Sequence, residues 1–123
     1  MPRRSFLPSL LVALALAGCG SSAPATATAS ASGDLSEARA AVERARAVGA
    51  EAEAPTELRA ATSRLIQAEA ALADGDAARA ARFSREATVD ARLAEATVLA
   101  SRARTQAALA DEVRELRAAI AAQ

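Results

Sequence analysis

The chain has 123 residues, with 15 Arg, no Lys and 15 Asp plus Glu, so it is electrically balanced. Its arginines are interspersed with acids, and it offers neither the clustered positive charge nor the aromatic platforms that nucleic-acid binding uses. Alanine supplies 39 positions while His, Tyr and Trp are absent, which removes imidazole bases, lysine nucleophiles and histidine metal ligands and makes an enzyme unexpected.

The first element is a leader. Arg3 and Arg4 make a positive start, residues 6–17 form a mostly apolar stretch, and Leu16-Ala17-Gly18-Cys19 closes it. An apolar run of 12 residues is too short to cross a hydrocarbon core of ~30 Å as a helix. Segment 1–18 is therefore predicted to be an export signal rather than a permanent span. Leu16, Ala17, Gly18 and Cys19 resemble the lipobox of bacterial lipoproteins. That resemblance implies a diacylglyceryl group on the thiol of Cys19, cleavage before it, and a mature chain that begins there. Cys19 is the lone cysteine, so no disulfide competes for it. A single acyl chain binds a bilayer only marginally, whereas two or three make attachment effectively permanent. Gly20 stands where an Asp is the usual inner-membrane retention signal in enteric bacteria, which points to the outer membrane, facing the periplasm. Arg3-Arg4-Ser5-Phe6-Leu7 also resembles a twin-arginine signal, so both export routes stay open.

Residues 20–33 carry no charge and nothing larger than Thr or Pro, and are predicted to be a disordered tether with an r.m.s. reach of roughly 20 Å. From Asp34 onward Ala, Leu, Arg, Glu and Gln dominate and the chain reads as helical. Three helices are expected, at about 35–48, 55–73 and 76–121. Gly49 ends the first, Pro55 opens the second, and Asp74-Gly75-Asp76 supplies a left-handed stop followed by an acid cap for the third. The predicted fold class is all-α, an antiparallel hairpin or three-helix unit whose third helix is long and coiled-coil-like. Asp74 with Asp76, and Glu51 with Glu53, could be imagined as catalytic acid and base. Each pair sits at a helix boundary, where acids ordinarily act as caps and dipole partners.

Leu58, Ala61, Leu65, Ala68 and Leu72 form a seam on the second helix. On the third, Val89, Leu93, Ala96, Ala100, Ala103, Ala107 and Ala110 are predicted to form its counterpart. A helix over 55–73, folded back on the third, covers it only to about residue 95. The remainder, from about 97, should project, carrying Leu109, Val113, Leu116 and Ile120 at 4-3-4 spacing, with Ala103 beside them. Large apolar side chains so placed mark a surface for self-association or for another envelope protein.

The segment 54–96 resembles the envelope family called domain of unknown function 4398. The likeness is carried by Ala54-Pro55-Thr56-Glu57-Leu58 with Ala61, by Leu65 and Ala68, by the Gly75-Asp76 turn, and by Asp90-Ala91 followed by Ala94-Glu95-Ala96. It implies a lipoprotein or exported protein. Some members carry an OmpA-like peptidoglycan-binding domain, which this sequence lacks, so direct cell-wall binding is not expected. The short murein lipoprotein is a second comparison, and its C-terminal lysine for attachment to peptidoglycan is also lacking here. The expected function is that of a lipid-anchored structural or adaptor lipoprotein. The alternative is a periplasmic binding or chaperone-like module for a hydrophobic client. No cofactor is expected beyond the lipid on Cys19, and no metal, nucleic acid or small-molecule substrate.

Overall fold

The structure, a computed structural model, describes residues 23–123. Segment 1–18, the lipobox residues Leu16, Ala17 and Gly18, Cys19 itself and the first residues of the expected tether lie outside the described residues. Four helices follow in order: α1 Ala23–Ala47, α2 Ala50–Glu53, α3 Pro55–Ala73 and α4 Ala77–Ala121. There is no strand among the described residues. The all-α unit is built on a long C-terminal helix against which the others pack.

The helix ends follow from local chemistry. Gly49 (φ 91) and Gly75 (φ 79) take the left-handed conformation that costs glycine least. At the end of α3 the Asp76 N–H donates to the Ala71 carbonyl at 2.9 Å and the Gly75 N–H to Leu72 at 3.1 Å, the Schellman pattern. Asp76 then caps α4, its Oδ1 accepting from the Arg79 N–H at 2.9 Å. Pro55 occupies the first turn of α3, and Ala54 before it is held at φ −142, ψ 52, away from the helical region that a following proline disfavours. The short α2 between Gly49 and Pro55 was not foreseen from the sequence.

Two expectations need correction. The tether was to run to residue 33 and the first helix to start at 35, whereas α1 begins at Ala23 and passes straight through Gly33. Packing outweighs the weak local preference: Ala31 is fully buried and clusters with Ala71 and Ala80. The hydroxyls of this segment also find helical partners, Ser32 Oγ bonding the Thr28 carbonyl at 2.9 Å and Ser36 Oγ that of Ser32 at 3.0 Å. Pro24 sits in the first turn, where its missing N–H costs nothing.

The second correction is the face of α4. Its buried row is Ala80, Ser84, Ala87, Ala91, Ala94 and Val98, all fully buried, with Phe83 and Thr88 at the edges. Val89 and Leu93, which headed the expected seam, are 64% and 53% exposed, and Ala96, Ala100, Ala103, Ala107 and Ala110 are exposed with them. That row lies about half a turn away from the real one. Arg82, Arg85 and Arg92 share its side of the helix and remain exposed. A seam there would have to desolvate their charge, and that cost exceeds the gain from one Val and one Leu.

The observed core is a seam of small residues shared by three helices. On α1, Ala31, Leu35, Ala38, Val42 and Ala45 repeat at steps of four and three. The α3 seam is as expected, with Leu58, Ala61 and Ala68 buried and Leu65 and Leu72 packed against them. Ala31 meets Ala80 while Ala45 and Ala50 join Ala94 and Val98 in one cluster, so α1 runs parallel to α4 and α3 antiparallel to both. Ion pairs clasp the outside: Arg39 to Glu69 at 2.8 Å, Arg92 to Glu37 at 2.6 Å, and Arg64 to Glu86 at 3.1 Å and to Asp90. Such half-exposed pairs contribute about 0–1 kcal/mol each and serve mainly to fix register.

Ser84 is the discordant member of the core. Its Oγ is buried without a hydrogen-bond partner, and an orphaned buried hydroxyl costs about 1–3 kcal/mol. Ser84→Ala keeps the small volume the seam requires. We expect it to raise stability by about 1 kcal/mol in denaturant titration; a loss of stability would mean that the hydroxyl is satisfied after all.

Candidate functional site

The last intramolecular clasp on α4 is Arg102. Its Nη2 donates to the Val48 carbonyl at 2.6 Å and to Glu53 Oε1 at 2.9 Å, and its Nε donates to the same carboxylate at 3.0 Å. The guanidinium therefore ties α4 to the corner made by the end of α1 and by α2. It lies close to the backbone there, since a Cβ on Gly49 would stand 3.2 Å from Arg102 Nη2. Every residue after Arg102 is exposed. The projection expected from residue 97 begins at 103, because α2 and this clasp extend the covered length slightly.

Along the projection Leu109, Val113, Leu116 and Ile120 are 55%, 44%, 57% and 73% exposed. At about 100° per residue the four fall within roughly 60° of Val98, Ala91 and Ala80. The stripe thus continues the face of α4 that is buried beneath α1 and α3 higher up. Ala103 is exposed on the same projection but stands about 120° round from Leu109, off the stripe. Asp111 and Arg114 pair with each other on the outer side, while neither Glu112 nor Arg117 has an ion-pair partner among the described residues.

The other residues singled out from the sequence have structural employment. Pro55, Gly75 and Asp76 form the helix boundaries described above. Glu53 receives Arg102, Glu51 lies 3.9 Å from Arg46, and Asp74 is the C-cap of α3. No group of three or more potential metal ligands occurs among the described residues. None of the described helices is long and apolar enough to cross a membrane.

Sequence reasoning missed the α1 seam, although the 4-3-4-3 spacing from Ala31 to Ala45 was there to find. It also missed an open groove of about 620 Å³ beside α3, lined by Arg46, Glu51, Pro55, Leu58, Arg59 and Ile66 among others. Ile66, 61% exposed, is its main apolar feature. A groove of that size falls within the usual range for ligand pockets, yet it has no aromatic wall and no enclosed floor of the kind that buries a small molecule.

Residues 33–111 match the family described as "Domain of unknown function (DUF4398)". No curated protein and no solved structure matches the chain at a significant level. The matched region takes in the α1 seam from Leu35 onward, the α3 seam, the buried row of α4 and the start of the stripe.

Proposed function

The chain belongs to the domain of unknown function 4398 family, and from that premise we propose that it is a lipid-anchored structural or adaptor lipoprotein of the bacterial envelope. Cys19 carries the anchor, and the projecting end of α4 carries the contact surface. The observation that supports this reading best is the separation of the two ends. α1 starts beside the α3–α4 turn, and α4 runs from there for 45 residues, roughly 65–70 Å at 1.5 Å per residue. An anchor immediately ahead of α1 leaves the stripe pointing away from the membrane, at the far end of a stiff arm.

Only residues 20–22 separate Cys19 from α1. A link that short spans at most about 14 Å fully extended, so the bundle sits closer to the lipid surface than a longer tether would allow. An arm held close and upright suits a protein that presents one helix end to a partner. It suits the capture of a bulky unfolded client less well, since the groove beside α3 is small and bordered by charge.

The anchor is tested by Cys19→Ser. In the producing cell, the wild type should incorporate labelled palmitate and sediment with outer membranes through high-salt washing, while the variant does neither. Continued sedimentation of the unlabelled variant would refute the anchor. The contact surface is tested by photo-crosslinking in cells from probes at Leu109, Leu116 and, as an off-stripe control, Ala103. A dominant adduct from the two stripe positions supports the reading, and no adduct from either would make the arm a solvated spacer. Broad misassembly of outer-membrane proteins on deletion, without a specific adduct, would favour the chaperone-like alternative.

A further inference from the structure

We infer that α1 has a second start at Asp34, and that residues 23–33 pass as one unit between the docked helix and a released chain that lengthens the link to the anchor. The docked state is the one described above. The release is a property of the bundle itself, while its effect on the link rests on the reading of Cys19 as the lipid anchor.

Little holds residues 23–33 in place. Residues 25–30 are all exposed, and among residues 25–33 Ala31 alone is buried. Its single methyl group meets Ala71 and Ala80. The segment carries no charge, so no ion pair ties it to α3 or α4. Thr26, Thr28, Ser30, Ser32 and Gly33 all have low helix propensity, and the bond from the Ser32 hydroxyl to the Thr28 carbonyl is of a kind that slightly weakens a helix. A Cβ on Gly33 would meet nothing within 4 Å. No close approach demands glycine there, and its effect is to loosen the helix at that point.

From Asp34 onward the attachment is of a different order. Asp34 lies 3.6 Å from Arg85, Leu35 enters the cluster with Ala68 and Phe83, Glu37 pairs with Arg92 at 2.6 Å, and Arg39 pairs with Glu69 at 2.8 Å. The boundary between the loosely and the firmly held parts of α1 thus falls between Gly33 and Asp34.

A helix cap is ready at that boundary. Asp34 followed by Glu37 has the capping-box spacing. With the preceding chain unwound, the Asp34 carboxylate accepts from the N–H groups of Ser36 or Glu37, and Glu37 reaches back to the N–H of Asp34. The long start has no acid in its first turn and forgoes that interaction with the positive helix end. Docking gains about three turns of backbone hydrogen bonds and one buried methyl group. Release gains the freedom of 11 poorly helical residues and the cap. Neither side carries a large apolar contribution, which makes this stretch bistable while the rest of α1 is not.

Release changes what the anchor permits. With α1 docked, Asp34 stands at most about 30 Å from Cys19, a link of about 14 Å and a helix of about 16 Å. With the chain released, the same 15 steps span at most about 50 Å. A partner held farther from the membrane than the docked arm reaches selects the released state, because only that state bridges the gap.

The test is amide hydrogen exchange on the full chain with Cys19→Ser, which needs no lipid. Residues 27–33 should exchange at one shared rate, at least about tenfold faster than residues 41–47. Gly33→Ala, which strengthens only the docked helix, should slow that rate about fivefold. Asp34→Asn and Asp34→Ala both remove the pair with Arg85, but Asn still caps a helix and Ala does not. Exchange over residues 27–33 should therefore be at least about fivefold slower in Asp34→Ala than in Asp34→Asn. Rates that climb residue by residue toward Ala23 would mean ordinary fraying of a helix end and overturn the inference. Equal rates in the two Asp34 variants would overturn it too, as would protection of residues 27–33 equal to that of residues 41–47. Failure of the anchor shows separately, as continued sedimentation of Cys19→Ser with membranes, and would leave the second start standing without its effect on the link.

Discussion

Ala91→Leu should destabilise the protein by about 2–3 kcal/mol, while Ala96→Leu, on the same helix five residues later, should change stability by less than about 0.5 kcal/mol. Ala91 is fully buried in the cluster that contains Ala41, Val42, Ala94 and Val98, where helices meet through methyl groups. Three added carbon atoms have no void to enter, so they must push α1 or α3 outward and break contacts along the seam. Ala96 faces solvent, and Leu there keeps high helix propensity. Urea unfolding of both variants checks the result. Similar losses at the two sites, or a larger one at Ala96, would mean that α4 is rotated from the orientation described here.

That contrast also marks where the sequence could be read and where it could not. Pro55, Gly49 and the Asp74-Gly75-Asp76 turn act through backbone geometry that only a few residue types satisfy, so the expected span of α3 and the long α4 agree with the structure to within a residue. The face of α4 lacked such a marker. With alanine on every side, spacings of three and four can be drawn through several rows, and the largest side chains drew the reading to Val89 and Leu93. The deciding signal was negative: Arg82, Arg85 and Arg92 lie on that side and must stay wet. The start of α1 was illegible for a different reason. Residues 23–33 contain nothing large enough to announce a core, and what orders them is Ala31 against Ala71 and Ala80, contacts distant in sequence. The stripe was legible because its four residues are large and regularly spaced. Its meaning depended on the length of the elements covering the rest of α4, which the sequence supplied to within a few residues.

Phe83→Ala should cost about 3–5 kcal/mol, and the loss should be confined to one end of the molecule. The fold has two unequal halves. Toward Arg102 the core holds Val42, Leu58 and Val98 with Val48 and Leu65 against them. Toward the α3–α4 turn, the fully packed residues are Ala31, Ala71 and Ala80 with Leu35, Ala68 and Phe83. Phe83 is the one aromatic side chain among the described residues and the largest body in that half. Its ring also lies 4.3 Å from the Arg82 guanidinium carbon and 5.5 Å from that of Arg79, which shields its outer face. At ~25 cal/mol per Å², alanine neighbours cannot replace the apolar area it buries. Without it, residues 31–38 of α1 lose the wall they pack against, and they adjoin the segment whose local sequence least favours order. Hydrogen exchange should therefore accelerate over that stretch and the α3–α4 turn, while 41–47 and 91–98 stay protected until global unfolding. Phe83→Leu, which retains most of the volume, should lose less than about 1.5 kcal/mol and keep the early part of α1 protected. Uniform acceleration along all three long helices would show instead that the seam of small residues folds as one cooperative unit, with no weaker end beside the α3–α4 turn.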